Sequence, residues 1–260
     1  TALAGRLLVH LTFDNVDLNG PVLTNIMDVA PLPDRFTLSA TTGQPGAIGE
    51  AFSFNNGFTR SFNNDIIPAG TPGGTMSAWI KTTSTAVGTH ILSVEGAWVL
   101  SYQAGGMVAF FDGSSSGNAT MASGLNDNNW HHLLAANDGA ITSVYVDGTL
   151  RGTYAEDLYD LGTLTRQTCV GARYDGAGTY YSGLVDDAMI WGRALSADEA
   201  YQIYTNGLAG KTVDPVSVIA RTGFESADGF SGYATNTINA LVARTNSDGS
   251  IWAGVSGDVS

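Results

Sequence analysis

Gly183-Leu184-Val185-Asp186-Asp187-Ala188-Met189-Ile190-Trp191-Gly192-Arg193-Ala194-Leu195-Ser196 is the stretch on which the fold turns. It closes a predicted strand over 180–191, in which Asp187 shares a face with Val185, Met189 and Trp191 at the two-residue strand period. A carboxylate on a mostly apolar face is costly unless it is paired or holds a cation. Arg193, two positions further on the same face, is one possible partner. Ser196 then has the character of an N-cap, with Glu199 three residues on to complete a capping box. Gly207 just past Tyr204 reads as the stop, which predicts one short helix over 196–204.

Working outward, the chain is strand after strand. Leu7, Val9, Leu11 and Phe13 alternate with Leu8, His10, Thr12 and Asp14. Segments 51–54 and 58–62 flank Asn55-Asn56-Gly57, whose tolerance of positive φ predicts a hairpin turn. Further strands are predicted at 75–81, 90–94, 98–103, 107–111, 131–136, 142–146, 150–154 and 169–173. Glu95-Gly96, Gly105-Gly106, Asn137-Asp138-Gly139 and Asp147-Gly148 supply turns. With no helix alternating between strands, a parallel α/β layout is excluded and an all-β antiparallel sandwich is expected. Trp79, Trp130 and Trp191 are the expected large packing pieces between its sheets. Thr168-Cys169-Val170-Gly171 reads as a strand entering the core, which makes Cys169 inaccessible.

Composition narrows the class. At 43% hydrophobic with 10 Phe, 10 Tyr and 5 Trp, the 260-residue chain has ample material for a core, and its 33 Gly suit many tight turns. Its 24 acids outnumber 11 bases for a net charge of −13, and only Lys81 and Lys211 are lysines. Such a surface disfavours nucleic acid and anionic lipid but concentrates divalent cations. Cys169 is the single cysteine, so no intrachain disulfide forms. No apolar run is long enough to span a bilayer, so no membrane insertion is expected. The start carries no leader-like segment, so an export signal is expected to have been removed or to lie upstream. Residues 1–212 are expected to be the sandwich. Residues 213–260 are Ser, Gly, Asn and Thr rich and too few for a core of their own. They either add strands or begin a further domain.

Three groups of residues, taken in order, resemble the laminin G-like (pentraxin-like) jelly roll of the concanavalin A-like lectin/glucanase superfamily. The first is Leu11-Thr12-Phe13-Asp14 with Ala51-Phe52-Ser53-Phe54, and the second is Met76-Ser77-Ala78-Trp79-Ile80-Lys81. The third is Trp130-His131-His132, Val144-Tyr145-Val146-Asp147-Gly148 and the opening stretch. The resemblance covers roughly residues 6–207 and implies a two-sheet antiparallel jelly-roll sandwich with one short helix after the last core strand. It also implies a structural Ca2+ ion, held in that family at the positions of Asp14 and Asp187 with loop oxygens after the first strand. Asn15, Asp17, Asn19 and Asp28 are the right hard oxygen donors. The Asn15-x-Asp17-x-Asn19-Gly20 run mimics the start of an EF-hand loop, but Ile26 stands where its closing Glu belongs, so that reading is set aside.

Catalytic patterns are weak. Gly113-Ser114-Ser115-Ser116-Gly117 matches a hydrolase elbow in letters only, since it follows a β strand in a hairpin. His131 and His132 point to opposite faces of a strand and make a poor zinc pair. Enzymes of the resembled superfamily place two glutamates close together on one strand, but Glu50, Glu95, Glu156, Glu199 and Glu225 are scattered. Binding remains. Trp98, Tyr102, Asp112, Arg173, Tyr174, Asp175 and Tyr180 are the candidates for stacking on sugars and hydrogen-bonding them, the last four bracketing one loop. The expectation is a non-catalytic carbohydrate-binding, lectin-like module of a secreted or cell-surface bacterial protein with further domains. Its expected partner is a glycan or polysaccharide. A structural or adhesive protein-binding spacer is the alternative, and a polysaccharide-degrading enzyme the third reading.

Overall fold

The computed structural model describes residues 3, 6–18, 22–24, 35–62, 66–68, 70–94, 97–113, 121–161, 167–213, 241–245 and 251–255. Two compact units divide the chain, Thr1–Ile219 and Ala220–Ser260. In the second unit, β14 (Leu241–Thr245) and β15 (Ile251–Val255) pair antiparallel with each other.

The first unit holds thirteen strands and a helix. The strands are β1 (Leu7–Leu11), β2 (Val22–Thr24), β3 (Arg35–Pro45), β4 (Glu50–Ser61), β5 (Gly74–Lys81), β6 (Thr89–Val94) and β7 (Trp98–Gln103). They continue with β8 (Gly106–Phe110), β9 (His131–Asn137), β10 (Ile141–Val146), β11 (Thr149–Ala155), β12 (Thr168–Val170) and β13 (Ser182–Trp191); the helix α1 is Ala197–Leu208. All hydrogen-bond antiparallel in the order β11-β10-β9-β5-β13-β4-β12-β6-β7-β8, with β1 beside β13 and β3 beside β4. This is the expected antiparallel jelly-roll sandwich, its two layers hydrogen-bonded into one curled sheet so that β9, β10 and β5 face β6, β7 and β8 across the main core.

The corner lies in β4. Its first half pairs with β13 and its second half with β12. Asn55-Asn56-Gly57, expected to be a hairpin turn, is instead an irregular bulge within this one strand, with Asn56 at φ 56°. Gly57 is required there, since a Cβ would sit 1.9 Å from the Ser39 carbonyl oxygen. A bulge uses the same φ-tolerant residues as a turn while redirecting the strand. Asp147 and Gly148, both at positive φ, do form the predicted tight hairpin between β10 and β11.

Met76, Ala78 and Ile80 of β5 point into the main core with Leu133, Ala135, Val144 and Val146. The alternate residues lie on the outer face, under α1. Trp191, Met189, Leu134, Tyr145, Ala200 and Ile203 make a second core there. Trp79 stacks at 5.7 Å on Tyr204 of α1 and at 5.1 Å against His132. Trp79 and Trp191 are thus buried between helix and sheet, not between layers, and Trp130 is only half-buried. Ser196 and Glu199 form the capping box, but α1 runs on to Leu208, so Gly207 is inside the helix. A Cβ at Gly207 would lie 2.5 Å from Trp79 Cζ2, so this glycine permits the helix to approach the indole. Cys169 is fully buried, and burial pushes its thiol up to about 12.

Candidate functional site

The expected metal site depends on the aspartates of β13, and a bulge there decides which of them reaches Ile48 and which reaches His10. Asp186 pairs with Trp79 and Met189 with Ser77, so β13 carries one residue more than β5 between those pairs. Asp187 takes φ 47° at that point. Val185 consequently packs in the main core while Met189 and Trp191 pack on the opposite, outer face. The shared face expected for Asp187 does not exist. Its Oδ1 instead lies 2.6 Å from His10 Nε2 and accepts a 2.6 Å bond from the Thr212 hydroxyl, which ties the chain after α1 to β1 and β13. Arg193 is not its partner either, because that guanidinium is bidentate on Glu199 at 2.7 and 2.8 Å.

Asp186 and Asp14 grip one turn, 46–49, between β3 and β4. Asp186 Oδ2 accepts from the Ile48 N–H at 2.8 Å, and Asp14 Oδ1 from the Glu50 N–H at 2.7 Å. Gly46 and Gly49 are needed for this grip, since a Cβ on either would lie 2.6 and 2.5 Å from the respective carboxylate oxygens. Asp186 is fully buried and its Oδ1 has no hydrogen-bond partner. Burial first, then the neighbouring charges of Asp187 and Asp14, push its carboxyl up to about 8. Burial also raises Asp14, with further upward pressure from Asp17, Glu50 and Asp187. An orphaned buried oxygen amid mutually repelling carboxylates fits a hard cation. Among the described residues no three His, Cys, Asp or Glu side chains converge as a ready cage. A cation here would therefore take two carboxylates plus backbone or water oxygens, as calcium accepts. Asn15 donates from its backbone and side chain to Glu50, and Asp17 accepts from the Thr12 hydroxyl. Asn19 and Asp28 lie outside the described residues.

Of the sugar-binding candidates, two are core. Trp98 fills the space between layers against Gly74, with Nε1 bonded to the Tyr159 carbonyl, and Tyr102 is fully buried with its hydroxyl on the Ser84 carbonyl. Neither can stack on a ligand. The pleat parity misleads here, because Trp98 does the inter-layer filling assigned to Trp79. Asp112 is half-buried beyond the end of β8, beside the Trp98 end of β7.

The remaining four come together. Arg173 is bidentate on Asp175 at 2.9 and 2.6 Å, and this pair drives the Asp175 carboxyl down to about 2. The Arg173 guanidinium lies over the Tyr174 ring, and the Tyr180 hydroxyl closes the loop onto the Gly176 carbonyl. Two further residues join them that the sequence did not single out. Arg60 of β4 bonds the Asp175 carbonyl at 2.7 Å and lies over Phe58, whose ring meets Gly176. Their signal was the alternation Phe58, Arg60 beyond the bulge, hidden by the hairpin reading. The result is a surface of planar cations, a carboxylate and half-exposed rings fixed on a pinned loop.

The family model described as "Concanavalin A-like lectin/glucanases superfamily" matches residues 51–200. No curated protein matches the sequence. Among solved structures, the chain is similar to the binding domain of Paraclostridial Mosquitocidal Protein 1, with TM-score 0.58 and 14% identity over 78% of this chain and 52% of that one. It is also similar to domain 4 of an extracellular arabinanase from Geobacillus stearothermophilus, solved with arabinotriose, at TM-score 0.51 and 17% identity over 76% of this chain and 97% of that one. A sialidase of Trypanosoma rangeli matches at TM-score 0.57 and 17% identity over 80% of this chain and 34% of that one. The chain thus spans about half of the toxin binding domain and a third of the sialidase.

Proposed function

We propose, for a chain that belongs to the concanavalin A-like lectin/glucanase superfamily through its laminin G-like family, that it is a non-catalytic glycan-binding module of a secreted, multidomain bacterial protein. The observation that carries this reading is the 173–180 loop with Phe58 and Arg60. Sugars offer CH faces to aromatic rings and hydroxyl pairs to planar guanidinium and carboxylate groups, and this surface presents both on fixed backbone. The arabinanase domain matched over 97% of its length was solved with arabinotriose, which supports a binding role for the scaffold. The described glutamates are committed elsewhere: Glu50 to Asn15, Glu156 to Thr142 and Glu199 to Arg193.

The same reading includes one structural calcium ion with Asp14 and Asp186 as its carboxylate ligands. Bound there, the ion supplies positive charge to the crowded carboxylates and ties the end of the first strand to the last. Asp14, Asp186 and the 46–49 turn hold the cradle; Asp187 keeps the His10 and Thr212 contacts.

A glycan array followed by titration tests the function. Retention of arabinan or another plant or algal polysaccharide is expected, without release of reducing ends. Arg173→Ala and Tyr174→Ala should each weaken it about tenfold, the size of one charge-assisted hydrogen bond or one stacked ring. An array that retains nothing replaces this reading with the adhesive spacer. Release of reducing ends, abolished by a single substitution, replaces it with an enzyme.

A further inference from the structure

We infer that a second ligand contact exists at the start of β13, a polar cleft whose Lys81 ammonium takes the carboxylate of an acidic sugar, a uronate unit of a polysaccharide. This rests on the glycan-binding reading but uses residues outside the 173–180 loop. The cleft has a volume of about 280 Å³ and is lined by Lys81, Ser53, Thr83, Asn128 and Ser182 among others. Register explains how it forms. Leu184 of β13 pairs with Lys81 of β5 on one side and with Ser53 of β4 on the other. Directly opposed residues point to the same face of a sheet. Lys81 and Trp79 are on alternate positions of β5, so this row lies on the outer face, beyond the end of α1's footprint on Trp79.

The walls are held in place before any ligand arrives. Thr82 donates from its hydroxyl to the Ser182 carbonyl at 2.6 Å and accepts from the Ser84 N–H at 2.9 Å. Asn128, in the left-handed region at φ 65°, donates its N–H to the Thr82 carbonyl at 3.1 Å, which joins the 125–129 loop to the 82–84 loop. Tyr102 anchors the far side through the Ser84 carbonyl. Gly183 lets β13 pack closely on the end of β5 at the cleft, since a Cβ would lie 2.6 Å from the Lys81 carbonyl oxygen and 2.7 Å from the Tyr181 hydroxyl.

Charge identifies the ligand class. In a chain of net charge −13 with two lysines, Lys81 makes no ion pair with any described residue. The other polar side chains lining its cleft are hydroxyls and one amide, groups that complement a polyhydroxylated ring. A cation surrounded by neutral donors and acceptors selects a ligand that carries both hydroxyls and one negative charge. A phosphate polymer is opposed by the lack of any second base at the cleft. The molecule's net repulsion is screened beyond about 8 Å at physiological ionic strength, so the local ammonium governs the contact.

Calorimetric titration with oligogalacturonate, oligoglucuronate and oligomannuronate, each beside its carboxyl-reduced neutral counterpart, tests the assignment. At least one acid form should bind about tenfold or more tightly than its reduced form. Lys81→Gln should bring the two together, and Lys81→Arg should keep the preference. Asn128→Gly, which preserves the left-handed backbone, should weaken both forms. Melting curves of the variants matching that of the parent exclude misfolding. Equal binding of acid and reduced forms, or a preference that survives Lys81→Gln, overturns the inference. If the array retains glycans that ignore Lys81, the cleft falls and the module reading stands; if it retains nothing, both fall.

Discussion

Gly207 shows how a single residue type can carry two messages. A glycine after an amphipathic run predicts a helix stop, and in this chain the stop is three residues further on, at Gly210 with φ 67°. Gly207 is instead the point where α1 touches Trp79. Gly207→Ala would gain about 1 kcal/mol of helix propensity. The added methyl would press on an indole that is 2% exposed and wedged between His132 and Tyr204, and overpacking of that kind costs about 1–3 kcal/mol. Packing wins, so a lower melting temperature is expected in a thermal melt; an unchanged or raised one would show that the helix can lift. His132, beside that indole, supplies a pH dependence. It is fully buried with Nε2 2.7 Å from the Ser77 hydroxyl, and burial holds its pKa down to about 4 from 6.5. A depressed histidine contributes stability that is present above 6.5 and is lost as pH falls toward 4. His90, lowered to about 4 by burial and then by Arg173, acts in the same direction. The melting temperature should therefore drop between those values. By NMR the His132 ring should still be neutral at about pH 5, and a ring that titrates near 6.5 would refute this.

At the scale of elements, the strands whose positions were readable are those with a buried alternate face, β5, β7, β9 and β10 among them. The period-2 pattern is a direct image of the pleat, and it places their boundaries within a residue or two. What escaped reading were the interruptions. The bulge in β4 looked like a hairpin because both need positive φ near an Asn-Gly pair. The bulge in β13 shifted parity between Val185 and Met189, so it is Asp186 that reaches the 46–49 turn beside Asp14, while Asp187 reaches His10. β3, with Gly43 and Pro45 inside its bounds, has the composition of a loop and owes its pairing to β4. The α1 cap was readable because it is local in sequence, yet its energetics depend on tertiary structure. Glu199 closes the capping box and also pairs with Arg193, both groups less than one-fifth exposed. Ser196→Ala should cost about 1 kcal/mol, the worth of an N-cap. Glu199→Ala should cost more, because it also takes the paired carboxylate from the mostly buried Arg193 guanidinium, leaving neutral carbonyls such as those of Leu3 and Ala194. Equal losses in urea melts would mean that the ion pair adds nothing.

For the whole molecule, the question is what joins the first strand to the last in a domain without a disulfide. Beside the β1–β13 backbone ladder, two links made by aspartates are present among the described residues. One is the buried contact of Asp187 with His10 and Thr212. The other is the pair Asp14 and Asp186 on the 46–49 turn, whose carboxyls are pushed up by burial and by neighbouring carboxylates while one Asp186 oxygen stays without a hydrogen bond. If calcium completes the second link, it binds the native chain and not the unfolded one. At roughly 100 times its Kd it then adds about 2.7 kcal/mol. The melting temperature should fall on adding chelator and recover with calcium but not with magnesium, which demands a smaller, octahedral shell. The two links predict different variant behaviour. Asp186→Asn and Asp14→Asn should abolish the calcium response, because each removes a ligand charge. Asp187→Asn should lower stability through the lost His10 contact while leaving a calcium response in place. A melting curve indifferent to chelator, with no metal by elemental analysis, would assign Asp14 and Asp186 to gripping the turn alone. A calcium response lost only in Asp187→Asn would return the site to the position implied by the family resemblance, against the parity set by the β13 bulge.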